Sequence, residues 1–194
     1  MLMTVEEFLD ERYELPEGGQ WSELEGGKAI CFQPPDLDHG TVVLNLSKGV
    51  SRWAVAEERG YACFDLGLVL RRDPDTVRFP AASFFLTGDR FAESDRDVTE
   101  TRPAAVVELA STADRRKVMS SRVSEYLEQG VEAVIVVDPK HETVSVWHSG
   151  AAALELGLGD RLEGLATLPG FEIEVVELFA VPEWWQRPGA RSGV

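Results

Sequence analysis

Apolar positions along the chain change period several times, and each change marks an element. Ala104 to Leu109 is a compact apolar run broken by one charge, Glu108. Ser111, Thr112 and Asp114 follow, residue types that open helices. Met119, Val123, Tyr126 and Leu127 then recur with helical spacing, and Gly130 stands where a helix stop is expected. Val134 to Val137 is β-branched and closes on Asp138-Pro139. The pattern predicts a strand, a crossover helix and a second strand, with the two strands parallel neighbours.

The flanks carry shorter signals. Thr4 with Glu7 three residues on predicts a capped N-terminal helix. Asp10 to Gln20 is acidic and ends in Pro16 and Gly18-Gly19, so a loop is expected. Gly26-Gly27 predicts a turn between two short strands. Val42, Val43, Leu46, Val50, Trp53 and Ala54 form a helical stripe within Thr41 to Arg59. Tyr61 to Leu70 reads as one strand, Thr76 to Phe79 as its hairpin return, and Ala81 to Leu86 as a further strand. Gly88 to Pro103 reads as a polar loop. Glu142 to His148 alternates as a strand that Ala153 to Leu158 answers, and Val175 to Phe179 is a short closing segment. Together these predict an α/β domain with a mixed central β-sheet flanked by helices.

Glu108 is the exception in this pattern. Alternation puts it on one face of its strand with Val106 and Ala110. A carboxylate in a buried strand costs several kcal/mol unless it is paired or holds a metal. The helix that follows carries Arg115, Arg116, Lys117 and Arg122. Two readings stand: an ion pair at the sheet end, or an active-site carboxylate.

Length and charge narrow the function. The 194 residues suit one domain. No apolar run approaches the ~20 residues of a membrane span, and the acidic N-terminus lacks the apolar segment of a signal peptide. Cys31 and Cys63 are read as reduced thiols, so a cytoplasmic location is expected. His39, His141 and His148 lack the spacing of a zinc site. The net charge of −15 disfavours non-specific nucleic-acid binding, although the helix bases make a local positive cluster.

A set of segments, in order, carries a resemblance: MTVEEFL, WSELEGGK, the His39-Gly40 pair, TVRFPAASFF, VVELAS, the run SRVSEYLEQGVEAVIVVDP, and LPGFEIEVVELF. Over residues 3 to 179 the sequence resembles the Uma-type putative restriction endonuclease family, bacterial proteins with a restriction-endonuclease-like core of the PD-(D/E)xK kind. The resemblance implies a single such domain over 1–180, a tail over 181–194, and Mg²⁺-assisted phosphodiester hydrolysis. It implies that Glu23 and Glu108 act as catalytic and metal-binding carboxylates; Asp65, on the preceding strand, is a candidate stand-in metal ligand. Arg122 falls where the family has a catalytic Lys, and Ala81 where it has the Asp after Pro. Arg keeps the charge but not the geometry or proton chemistry of Lys. Apart from the resemblance, Glu23 reads as a solvated charge and His39 as a turn residue.

Arg115, Arg116, Lys117 and His39 are candidate phosphate contacts, with Lys117 expected to face water. The two departures, at Ala81 and Arg122, imply a degenerate centre. The alternatives are an active nuclease rebuilt on Glu23, Asp65, Glu108 and Arg122, and a non-catalytic homo-oligomeric binding protein. A homodimer packed through Trp184-Trp185 and an edge strand is the expected assembly.

Overall fold

The computed structural model describes residues 2–56 and 60–182. Trp184-Trp185, on which the expected homodimer contact rests, lie outside the described residues. The chain opens with helix α1 (Val5–Glu11), where Thr4 and Glu7 form the expected capping box. Two short 3-10 turns lead to β1 (Ser22–Glu25) and β2 (Lys28–Cys31). These strands pair antiparallel around Gly26-Gly27, whose positive φ angles of 55° and 76° suit glycine. Helix α2 (Leu37–Ala56) carries the expected stripe.

Four strands follow: β3 (Tyr61–Phe64), β4 (Gly67–Arg71), β5 (Thr76–Arg78) and β6 (Ala82–Phe85). The single strand expected over Tyr61 to Leu70 is therefore two. Asp65 breaks it by taking a left-handed conformation, φ 55°, and the chain passes from one sheet to another there. The polar stretch from Gly88 to Pro103 is mostly irregular but contributes β7 (Val98–Thr99).

The central unit is β8 (Ala105–Leu109), α3 (Ala113–Glu128) and β9 (Ala133–Asp138), and its strands are parallel as expected. Then come β10 (Thr143–Trp147), β11 (Leu154–Leu156), β12 (Arg161–Leu162), β13 (Ile173–Glu174) and helix α4 (Val175–Phe179).

The expected mixed central sheet flanked by helices is present, and a second sheet and a small ribbon accompany it. The main sheet runs β11-β10-β9-β8-β6-β3 and is mixed, with β8 and β9 its parallel pair. The second runs β2-β1-β5-β4-β7. β12 and β13 pair with each other. Alternation along β8 sorts the core into layers. Val107 and Leu109 pack with Val42, Leu46 and Trp53 of α2 and with Val175 and Leu178 of α4. Val106 and Ala110 pack with Met119, Val123 and Tyr126 of α3, and with Leu68 and Leu70 of β4. Val5 and Phe8 of α1 cover the other side of the second sheet against Leu24, Val69 and Val77. Asn45 of α2 ties the layers by donating to the carbonyls of Leu178 (3.2 Å) and Ala180 (2.8 Å) at the end of α4. Among the described residues no helix is long and apolar enough to cross a membrane.

Candidate functional site

Helix α3 turns an unusual stripe toward the sheets. Arg115, Met119, Arg122, Val123 and Tyr126 are its buried residues, so two of the inward positions are arginines. Met119 and Val123 join the apolar core. Arg115 and Arg122 lie near two glutamates, one from β8 of the main sheet and one from β1 of the second sheet.

Those glutamates are Glu108 on β8 and Glu23 on β1, each 1% exposed. Glu23 therefore departs from the solvated charge that its local sequence suggests. The reason is tertiary: its partners come from β5 and α3, far along the chain. Arg122 donates from Nη1 to Glu23 Oε2 at 2.6 Å and from Nη2 to Glu23 Oε1 at 2.5 Å. Its Nε donates to Glu108 Oε1 at 3.1 Å. The Tyr126 hydroxyl donates to the same Glu108 oxygen at 2.6 Å. Arg78 of β5 donates to Glu23 Oε2 at 3.3 Å, and at 2.8 Å each to Glu25 and Glu125. The Phe79 amide donates to Glu23 Oε1 at 3.4 Å. The ion pair expected between Glu108 and Arg122 is thus present as part of a larger chain of charges.

The electrostatics follow from this crowding. Burial alone would raise the Glu23 carboxyl, but Arg122, Arg78 and Arg115 outweigh it and hold it below its ordinary value. Burial likewise opposes the charged form of Arg122, yet Glu108 and Glu23 keep its guanidinium firmly protonated. Burial, reinforced by the Glu108 charge, pushes the Tyr126 hydroxyl well above the usual range, so it serves as a donor. Both Glu23 oxygens and one Glu108 oxygen are therefore occupied. Among the described residues no protein group bonds Glu108 Oε2.

Beside this network lies a cavity of about 640 Å³. Glu23 and Glu108 reach its floor, and Trp21, Val43, Leu44, Phe64, Phe79 and Leu109 supply apolar wall. Asp65, His39, Ala81 and Arg115 also line it. Asp65, on the turn after β3, has its carboxyl raised by lost hydration, against the pull of Arg12 and Arg115. His39 stands edge-on to Trp21, with ring centroids 5.3 Å apart. Its Nδ1 lies 3.0 Å from the Ser111 hydroxyl. Burial and the neighbouring Arg115 lower its pKa to about 4, against the pull of Asp36, so the ring is neutral near pH 7. His39 is thus a wall residue of the cavity rather than a simple turn residue.

Of the residues singled out in the sequence, Glu23, Asp65, Ala81, Glu108, Arg115 and His39 meet at this cavity, and Arg122 joins it through its bonds to Glu23 and Glu108. Arg116 and Lys117 do not. Arg116 donates to the Ala110 carbonyl at 2.8 Å and lies 3.8 Å from Asp138, while Lys117 is exposed, as expected. Among the described residues no group of three or more His, Cys, Asp or Glu side chains is arranged to hold a metal ion. Arg78 and Tyr126 complete the network, and neither stands out in the sequence. Arg78 sits in an ordinary strand. Tyr126 reads as a core aromatic, and its spacing of four from Arg122 is the one available signal.

Residues 5–176 match the Uma2 family, described as a putative restriction endonuclease. No curated protein matches. Among solved structures, the chain is similar to a putative nuclease from Anabaena variabilis ATCC 29413. That match has a TM-score of 0.72 and 18% identity, and it covers 91% of this chain and 97% of the other. At that identity the likeness concerns the fold.

Proposed function

The chain belongs to the Uma2 putative restriction endonuclease family, and from that premise we propose that it is a restriction-endonuclease-like protein with a degenerate centre, which does not cleave phosphodiesters with a divalent metal. The observation that carries this reading is the occupation of Glu23 by Arg122 and Arg78. A hard cation such as Mg²⁺ needs oxygen ligands with lone pairs free to face it. Glu23 has both oxygens committed to guanidinium donors, and Glu108 has Oε1 committed to Arg122 and Tyr126. Ala81 lines the cavity where the family resemblance places an aspartate, and a methyl group ligates nothing. Glu108 Oε2 and Asp65 are left, with the cation Arg115 at the same cavity and acting on Asp65. The donor set does not fit Mg²⁺.

Arg122 takes over the two electrostatic duties at this point of the fold. Its positive charge neutralises the acidic pair as a metal would, and it stands at the position of the family's Lys. Its proton is not available for transfer, so it supports no general acid–base step. The protein acts on this reading as a binding module built on a nuclease fold.

The test is incubation of the purified protein with plasmid and single-stranded DNA in Mg²⁺ or Mn²⁺. No cleavage above a buffer control is expected. Cleavage that disappears in Glu108→Ala would overturn the reading and favour an active nuclease rebuilt on Glu108 and Asp65.

A further inference from the structure

Arg115 is a feature of the cavity that the ion network does not explain. Its residue is 6% exposed, and it lines the cavity wall. Nε is buried without a hydrogen-bond partner. Among the described residues its guanidinium makes no side-chain hydrogen bond and no ion pair. Arg122 and Arg78, by contrast, each bond two or more carboxylates. A buried guanidinium normally carries a paired anion, because desolvating a lone charge is costly. The carboxylates nearest in effect do not supply one. Glu23 is taken by Arg122 and Arg78, and Asp65 acts on Arg115 only through space.

Aromatic rings hold Arg115 in place instead. Its Cζ lies 4.7 Å from the centroid of Phe32 and 5.9 Å from that of Trp21. Stacked guanidinium keeps its edge donors free for a planar or tetrahedral anion. The rest of the cavity suits an apolar body, with Trp21, Leu44, Phe64, Phe79 and Leu109 around it. Its volume of about 640 Å³ falls within the range of small-molecule sites. A long polyanion fits less well, given Asp36 and Asp65 at the same cavity and a net charge of −15.

We propose that this cavity binds a small organic anion, whose single carboxylate or phosphate monoester pairs with Arg115 and whose aromatic or apolar body lies against Trp21, Phe64 and Leu44. The proposal rests on the reading of the cleft as a binding site, and its measurement involves neither metal nor DNA. Failure here therefore leaves the cleavage test standing, and the reverse.

The test is thermal unfolding of the full chain in metal-free buffer with phenyl phosphate, benzoate or inorganic phosphate. At about ten times the dissociation constant, the melting temperature should rise by about 3–6 °C with phenyl phosphate or benzoate. Whichever gives the larger rise identifies the headgroup, and inorganic phosphate should do less because it lacks the body. Arg115→Met should fold with an unchanged or higher melting temperature and lose the response. Gly40→Leu is the second variant. Gly40 lines the cavity, and a Cβ there meets nothing within 4 Å, so a longer side chain is introduced into the site while Arg115 itself is kept. It should also lose the response while keeping its fold. No shift with either organic anion, or an equal shift in Arg115→Met, would overturn the proposal. A large loss of stability in Arg115→Met with a normal response in Gly40→Leu would do so as well, because Arg115 would then be structural.

Discussion

Arg122 and Glu23 meet in a parallel two-bond fork, 2.6 Å and 2.5 Å long, across 99 positions of chain. The fork joins the crossover helix of the main sheet to the first strand of the second sheet. It is therefore both the chemical centre of the cleft and a clamp between two layers. With both side chains at most 2% exposed, the pair is desolvated and its geometry matters more than its charge.

Removing the cation should show this. Arg122→Met leaves Glu23 dependent on Arg78 and Glu108 dependent on Tyr126, both still buried. A loss of about 3–5 kcal/mol is expected from breaking one side of a buried pair. Arg122→Lys should fall between, since an ammonium cannot make the fork and reach Glu108 as well. Urea unfolding followed by tryptophan fluorescence measures both. A loss below about 1 kcal/mol in Arg122→Met would mean that the network contributes little to folding.

Tyr126 tests the other end of the network. Its hydroxyl is fully buried and gives Glu108 its shortest hydrogen bond, 2.6 Å. Tyr126→Phe keeps the ring in the core and removes only that donor. The expected cost is about 1.5–3 kcal/mol, the range for a hydrogen bond to a charged group. The same unfolding measurement decides it, with unchanged near-ultraviolet circular dichroism as the control for packing.

Much of the frame is legible in the sequence, and the parts that are not share a cause. The β8–α3–β9 unit is visible because its signals are local: an apolar run, a cap, a helical stripe and a β-branched run within 36 residues. The second sheet is legible only in its two local hairpins, β1–β2 and β4–β5, because the pairings that join them into a sheet are short and distant. Leu24 meets Val77 as the sole paired position between β1 and β5, and β7 is two residues long. Glu23 reads as solvated for the same reason, since Arg78 and Arg122 reach it only through tertiary structure. The break at Asp65 leaves no trace because a non-glycine residue takes the left-handed turn. Val175 to Phe179, legible only as a short closing segment, is a helix whose five residues are placed by packing against α2. Arg115 is legible as a cavity residue because it precedes Met119 by four and Arg122 by seven, on one helical face.

His39 makes stability depend on pH in a defined window. Its folded pKa is lowered to about 4 from 6.5, by burial first and Arg115 second. Above pH 6.5 the ring is neutral in both states and contributes nothing to the dependence. Between 6.5 and about 4 the unfolded chain takes up a proton that the folded ring refuses, so stability falls on acidification. The slope should be of order 1 kcal/mol per pH unit or less, because the ring is partly exposed. Glu23, whose folded pKa is lowered from 4.5, acts in the same direction but only below that value. Comparing His39→Gln with the wild type from pH 4.5 to 7.5 isolates the histidine. A steeper fall in the wild type is expected, and parallel curves would show that His39 does not govern it.

Restoring the missing groups is the most demanding check on the centre. Ala81→Asp alone adds a carboxylate to the cavity but leaves Arg122 holding Glu23 and Glu108. Little metal binding is expected from it, since a divalent ion would have to displace a guanidinium. Ala81→Asp combined with Arg122→Lys returns both positions to the residues of the family resemblance. The fork is then gone, Glu23 keeps only Arg78 and the Phe79 amide, Glu108 keeps only Tyr126, and a third carboxylate is added at the cavity. Calorimetric titration with Mn²⁺ should give no heat with the wild type, little with Ala81→Asp, and a saturable heat with the double variant. The melting temperature of the double variant should rise with Mn²⁺, which separates specific binding from weak surface association. Saturable binding by the wild type would show that Arg122 does not block the centre. A silent double variant that remains folded would locate the obstacle elsewhere, with Arg78, still bonded to Glu23 at 3.3 Å, the first candidate.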